Sequence, residues 1–183
     1  MFKTLNYYLC NYQMIFKYLA LLWYSPYIYY LNYSKKSLVD IYDSLSGKTG
    51  GTFAFSAMVE FFSPYSGSID SVIEEFGKDV IKCSIVEKRY LQNPFKSIHA
   101  IALANLGELT SGLLMMNYLQ SSHKKGIVTH IKIEYYKKAR GKITAICDIN
   151  SLHDNVINTK MYNEENVLVG EMYCTWDIKN KEV

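Results

Sequence analysis

The first 39 residues contain no acidic side chain. Lys3, Lys17, Lys35 and Lys36 give that stretch a charge of +4, so the net +3 of the chain leaves −1 for residues 40–183. A nucleic-acid surface needs a larger and clustered basic excess, so no nucleic-acid partner is expected. The four cysteines, Cys10, Cys83, Cys147 and Cys174, form no Cys-x-x-Cys pair. That spacing argues against a structural zinc site, and no metal is expected. They read as reduced core residues of an intracellular protein. Long apolar runs are missing too. A spanning helix needs about 20 apolar residues. Tyr12 to Leu31 reaches that length only by taking in Gln13, Lys17 and Pro26. Strand–helix–strand alternation is also absent, which excludes a doubly wound parallel sheet.

What is present divides the chain in two. Residues 1–36 form an aromatic, apolar segment interrupted at Ser25-Pro26. Three readings of residues 1–34 stay open: a membrane-surface or anchoring element, an organelle leader such as a mitochondrial one, and an extra helix packed on the domain. Without a targeting role the protein is expected in the cytoplasm. Residues 37–183 form the domain proper. Ser37 to Tyr42 starts a short helix, Gly47 to Gly51 ends it, and Phe53 to Phe62 is a second helix closed by Ser63-Pro64. Ser71 to Glu75 and Val80 to Val86 read as a hairpin. Ile127 to Tyr135 alternates with period two, as a strand with one wet face does. Lys142 to Ile149, Val156 to Tyr162 and Val167 to Ile178 complete the strands, the last two joined through Asn163-Glu164-Glu165-Asn166.

Between the two groups of strands lies one long helix, about Ile98 to Leu119. Ala102, Leu103, Leu106, Leu109, Leu113 and Met116 share one arc at 100° per residue. Gly107 and Gly112 each cost about 1 kcal/mol of helix propensity, which close packing on a sheet would offset. The fold class is α+β: an antiparallel sheet wrapped around one long central helix, with extra N-terminal helices. From His99 to Leu119 the one formally charged side chain is Glu108. Its strip holds Ala104, Ser111 and Met115, with Asn105 and Gly112 at the edges. A carboxylate there either reaches solvent or faces a cleft, and partial desolvation would raise its pKa toward that of a working base or nucleophile. His99 precedes Glu108 by nine residues. Nine residues turn a helix by about 900° and advance it roughly 13 Å, so the two side chains point to opposite sides. If they cooperate, a second subunit supplies one of them.

The stretch Asn93-Pro94-Phe95-Lys96-Ser97-Ile98-His99-Ala100-Ile101 through Leu106-Gly107-Glu108 resembles the signature of hotdog-fold acyl-CoA thioesterases of the phenylacetate-pathway type. Those carry an Asn, then His-Gly-Gly six residues on, then Asp or Glu nine after the His. Asn93, His99 and Glu108 match at both spacings. The chain is most similar to a little-characterised hotdog branch with His-Ala-Ile-Ala-Leu in place of His-Gly-Gly. That branch also has a Pro-Tyr near Pro64-Tyr65 and a Tyr-x-x-x-Ala-Arg-Gly like Tyr135 to Gly141. The resemblance covers about residues 50–180.

The resemblance implies a hotdog fold and a homodimer or homotetramer. It implies an acyl-CoA substrate whose coenzyme A is part of the substrate, so no cofactor is expected. It assigns the helix-start N–H of Ala100 and the side chain of Asn93 to the thioester carbonyl, and His99 to the helix start. Glu108 from the facing subunit would activate water or attack directly. Thr129 would correspond to the family Ser or Thr that orients the water. Ala100 and Ile101 replace two glycines, and Ile101 adds bulk at the mouth. Lys137, Lys138 and Arg140 read either as a solvated strand end or as contacts for coenzyme A phosphates. Beside hydrolysis stand two alternatives. One is a non-catalytic hotdog protein that binds acyl-CoA or acyl chains. The other is a membrane-associated interaction protein.

Overall fold

The computed structural model describes residues 2–181, with side chains from Met14 onward, so Lys3 and Cys10 lie outside the described side chains. Four helices come first: α1 (Phe2–Tyr33), α2 (Leu38–Ser46), α3 (Gly51–Phe62) and the single turn α4 (Pro64–Gly67). Then follow β1 (Val72–Phe76), β2 (Val80–Val86), the long helix α5 (Ala100–Ser121), β3 (Lys124–Tyr135), β4 (Lys142–Asp148), β5 (Val156–Asn163) and β6 (Leu168–Asn180).

Local chemistry explains the helix ends. Ser37 and Asp40 form a reciprocal capping box that starts α2. Between α2 and α3, a Cβ on Gly51 would come within 1.9 Å of the Leu45 carbonyl oxygen, and Gly50 sits at a φ of +76°. A residue with a side chain fits neither requirement well. Ser25-Pro26 does not interrupt α1, contrary to expectation. A proline cannot donate to the carbonyl four residues back. Here the Ser25 hydroxyl donates to that carbonyl, on Leu22, at 2.9 Å, and the helix runs on to Tyr33.

α1 packs against α3, and Lys17 is fully buried there. Its Nζ donates to Glu60 Oε1 at 2.6 Å, to Asp70 Oδ1 at 2.9 Å and to the Ser71 carbonyl at 2.8 Å. The other Asp70 oxygen accepts from Lys88. Two cations thus meet two carboxylates away from water, which is how buried charge is tolerated. Among the described residues no helix is long and apolar enough to cross a membrane.

The six strands form one antiparallel sheet in the order β1-β2-β4-β5-β6-β3. α5 lies across it and packs on β2, β3, β4, β5 and β6. This is the hotdog arrangement that the resemblance implies. The single-wet-face expectation for β3 needs correction. None of its twelve residues is buried. A bulge between Val128 and His130 shifts the register and switches which residues face inward. Val128 before it and Ile133 after it touch the core, while Ile127 and Ile131 stand exposed. β3 is also an edge strand, paired with β6 alone. Cys83, Cys147 and Cys174 are buried free thiols, pushed up by desolvation, to about 12 for the first two.

Candidate active site

α5 is buried on more than one face, which bears on the two alternatives that the sequence leaves open for the strip around Glu108. The strip of small residues that shares a side with Glu108 does not face solvent. Ser111 and Met115 are 1% and 0% exposed. The Ser111 hydroxyl lies 3.4 Å from Cys174 Sγ on β6. A Cβ on Gly107 would approach Met172 Sδ to 2.5 Å, so the missing side chain is what lets α5 sit down on β6. The leucine side of the helix, through Leu109, Leu113 and Met116, turns instead toward the N-terminal helices.

There it lines an open cavity of about 790 Å³, along which Leu22, Tyr29, Phe62 and Met116 are exposed. Leu21, Leu22, Ser25 and Ile28 of α1 form one wall, and Met58, Val59 and Phe62 of α3 another. Ser63 and Ser66 bring hydroxyls. Among the described residues Glu108 is the one charged residue on the lining. It is half-buried, and burial pushes its carboxyl above the ordinary carboxylate value. No side chain among the described residues pairs with it. Gly112, one turn on, keeps the space beside it open, since a Cβ there would lie 3.5 Å from Glu108 Oε1. An unpaired, desolvated carboxylate on an apolar wall holds its proton more readily than a free one and accepts a proton more strongly once ionised.

Of the other expected residues, all but Thr129 gather around the start of α5, apart from this cavity. His99 caps the helix, with Nδ1 accepting the Ile101 N–H at 3.1 Å. The Ala100 N–H has no acceptor among the described residues, so the helix start offers a free donor at its positive end. Asn93 is spent on its own loop. Its Oδ1 accepts from the N–H groups of Phe95, at 2.9 Å, and Ser97, at 3.2 Å, while its Nδ2 donates to Ser97 Oγ at 3.0 Å. Ala100 and Glu108 are eight residues apart, about 12 Å along the axis, so one chain does not bring them onto one carbonyl. Ile101 is 58% exposed and lines no part of the cavity.

The Tyr-x-x-x-Ala-Arg-Gly stretch is bound to the same helix start. The Tyr135 hydroxyl donates to the Ala100 carbonyl at 2.8 Å, and the Ala139 carbonyl accepts from the Ile98 N–H at 2.9 Å. Ala139 is buried, and Lys137, Lys138 and Arg140 around it are exposed. Thr129 sits at the β3 bulge, where its Oγ1 donates to the Thr175 carbonyl at 3.3 Å. No hydrogen bond links it to Glu108. Among the described residues no group of three or more His, Cys, Asp or Glu is arranged to hold a metal ion.

Sequence reasoning missed the cavity walls on α1 and α3, and it missed Ser63 and Ser66. One signal was available. The Pro64-Tyr65 pair precedes Ser66 directly, and the Tyr65 carbonyl accepts from Asn105 Nδ2 at 3.1 Å, which ties that turn to α5.

Known proteins share this architecture. A structural genomics protein superposes with a TM-score of 0.69 at 23% identity, over 79% of this chain and 99% of its own. A probable thioesterase from Pseudomonas aeruginosa gives 0.60 at 17% identity, over 68% and 92%. The Escherichia coli PaaI protein, from the phenylacetic acid degradation operon, gives 0.54 at 10% identity, over 69% and 94%. At such identities the likeness shows the fold. No curated protein matches the chain. The family model DUF4442, a domain of unknown function, matches residues 51–178.

Proposed function

The chain belongs to the DUF4442 family, and from that premise we propose that it is a thioesterase-like hydrolase of acyl-CoA, with Glu108 as its working carboxylate. The observation that carries this reading is the unpaired, half-buried Glu108 on an apolar, ligand-sized cavity. Pockets for small ligands have this character, mostly apolar with a few convergent polar groups. Neighbours in structure that are named thioesterases support the class of reaction.

In this reading a water oxygen attacks the thioester carbonyl while Glu108 takes its proton. The negative charge that develops on the carbonyl oxygen meets the free Ala100 N–H of a second subunit. The carbon–sulfur bond breaks, and the proton returns to the departing thiolate. Direct attack by Glu108 is the covalent variant of the same step. Asn93 acts by holding the 93–97 loop that precedes the helix start, and His99 by capping it. Lys137, Lys138 and Arg140 flank a backbone already bonded to that helix start, and in this reading they meet the coenzyme A phosphates. Thr129, on the outer strand β3, takes the part of the hydroxyl that orients the water.

A second reading, acyl binding without hydrolysis, is favoured by the engagement of Asn93 with its own loop. A panel of acyl-CoA esters with free-thiol detection, run on the wild type and on Glu108→Gln, separates the two. Thiol release by the wild type that the variant lacks supports hydrolysis. Release by neither, with acyl-CoA still bound, supports the second reading.

A further inference from the structure

We infer that α1 is part of the substrate site: the acyl chain lies between α1 and α5, and the length of this cavity sets a preference for chains of about ten to fourteen carbons. The inference deepens the thioesterase reading and rests on it for the position of the thioester. Glu108 is the α5 lining residue nearest that helix's N-terminus, and the rest of the α5 lining, Leu109, Gly112, Leu113 and Met116, continues toward its C-terminus. Eight residues of helix from Glu108 to Met116 advance about 12 Å. On the opposite wall α1 lines the space from Leu21 to Asn32, about 17 Å. An extended alkyl chain advances roughly 1.25 Å per carbon, given carbon–carbon bonds of about 1.5 Å. The two walls therefore match about ten to fourteen carbons, with the carboxylate near the end that the 63–66 turn closes. That is where the reacting carbonyl of a buried acyl chain must sit.

The composition of the walls points to the same ligand class. The lining polar groups are Ser25, Asn32, Ser63, Ser66, Tyr29 and Glu108, and the remaining surface is Leu, Ile, Val, Met, Phe and Gly. Among the described residues no cation lines the space, so a phosphate or a free carboxylate finds no counter-charge on these walls. An uncharged hydrocarbon tail has what it needs. α1 also reaches the site without a covalent or loop constraint from α5. It is held to the body by Lys17 among Glu60, Asp70 and the Ser71 carbonyl. That cluster fixes the wall at one end, and the Tyr24 hydroxyl, donating to the Thr49 carbonyl at 2.9 Å, and buried Leu31 hold it farther along.

Two measurements on the full-length protein test this. The first is kcat/KM for saturated acyl-CoA esters from four to eighteen carbons. The second is equilibrium binding of a fluorescent medium-chain fatty acid. Both are run on the wild type, on Ser25→Trp, which fills the cavity from α1, and on Leu22→Glu, which places a charge on its wall. Leu22 is largely exposed, so the second variant does not depend on the first one folding. Circular dichroism and the thermal midpoint establish that each is folded. The expected wild-type profile rises by about fourfold per added methylene and flattens past ten to fourteen carbons. Each variant is expected to lower the ratio of twelve-carbon to four-carbon activity at least tenfold and to weaken probe binding. Hydrolysis whose chain-length profile is the same in folded variants and wild type overturns the inference and leaves the thioesterase reading standing. Probe binding that the variants lose, without thiol release by any form, supports the cavity assignment and removes the hydrolysis reading. Neither binding nor hydrolysis removes both.

Discussion

Glu108 and Glu60 are both pushed up by burial, Glu60 to about 7, yet their neighbours differ. Glu60 has Lys17 at 2.6 Å, and desolvation still outweighs that attraction. Its folded pKa stands above the ordinary carboxylate value. The associated stability is therefore full below that value and is lost as pH rises through about 7. Urea midpoints of the wild type should fall between pH 5 and pH 8, and Glu60→Gln should flatten that slope; a parallel slope in the variant would assign the effect elsewhere. Lys17→Met removes one cation from a buried set of two against two carboxylates. The expected loss is about 3–5 kcal/mol, the range for breaking a buried pair. The double variant Lys17→Met/Glu60→Gln should recover part of it, because Asp70 and Lys88 then remain as a matched pair. Glu108 has no such partner, so its substitution should be nearly silent in stability. Glu108→Gln is expected to cut thiol release by about 10²–10⁴ while the thermal midpoint holds, as loss of a general base does. Because a base works when ionised and this carboxyl is raised, the acidic limb of kcat/KM against pH should lie above the ordinary carboxylate pKa. A limb at or below that value would speak against Glu108 as the base.

At the scale of elements, what the chain shows of its fold comes from period and punctuation. The helix start at Ser37–Tyr42, the glycines at 47–51, the alternation that marks β3 as a strand though not its buried side, and the 163–166 turn each mark a boundary that local chemistry alone determines. The central helix is legible for the same reason, and its lone Glu108 stands out because charge is rare on a buried helix. Which face of α5 meets which neighbour is not legible. Large leucines and small residues suit either a sheet or a helix layer, and only the docking of α1 and α3 sends Leu109 and Leu113 away from the sheet. The course of α1 is hidden as well. Ser25-Pro26 reads as a break, and the rescue of the Leu22 carbonyl by a neighbouring hydroxyl depends on a rotamer that pattern does not encode. Lys17 reads as a flaw in an apolar run because its partners lie 43 and 53 residues away. Deleting residues 1–34 strips the cluster of that cation. The truncated chain should melt at a clearly lower temperature than the full chain, and adding Glu60→Gln to the truncation should raise its midpoint. An unchanged midpoint on truncation would show that α1 adds nothing to the stability of the rest.

For the whole molecule, the two halves of the proposed site point past a single chain. The free Ala100 N–H and Glu108 lie about 12 Å apart along one helix, too far to flank one carbonyl. β3 meanwhile leaves one edge of the sheet unpaired, with Ile127 and Ile131 exposed, and Ile101 and Tyr135 stand exposed nearby at the helix start. Unpaired strand edges with apolar side chains are aggregation hazards that proteins normally cover. A second copy set against this face would cover the edge, bury these residues and carry the Ala100 end of one chain toward Glu108 of the other. Two variants test that assembly. Glu108→Gln removes the base from one half-site. Ile101→Arg places a charge beside the helix start of the other, and each variant alone should be inactive. If the halves come from different chains, mixing and exchanging the two subunits yields some dimers in which one site has both intact halves. At equal proportions half of all dimers are mixed and one of their two sites works, so about a quarter of wild-type activity should return. Failure of activity to return after subunit exchange is verified by mass would mean that the site is built within one chain. A monomer by sedimentation at micromolar concentration would remove the shared site and leave the cavity between α1 and α5 as the whole of it.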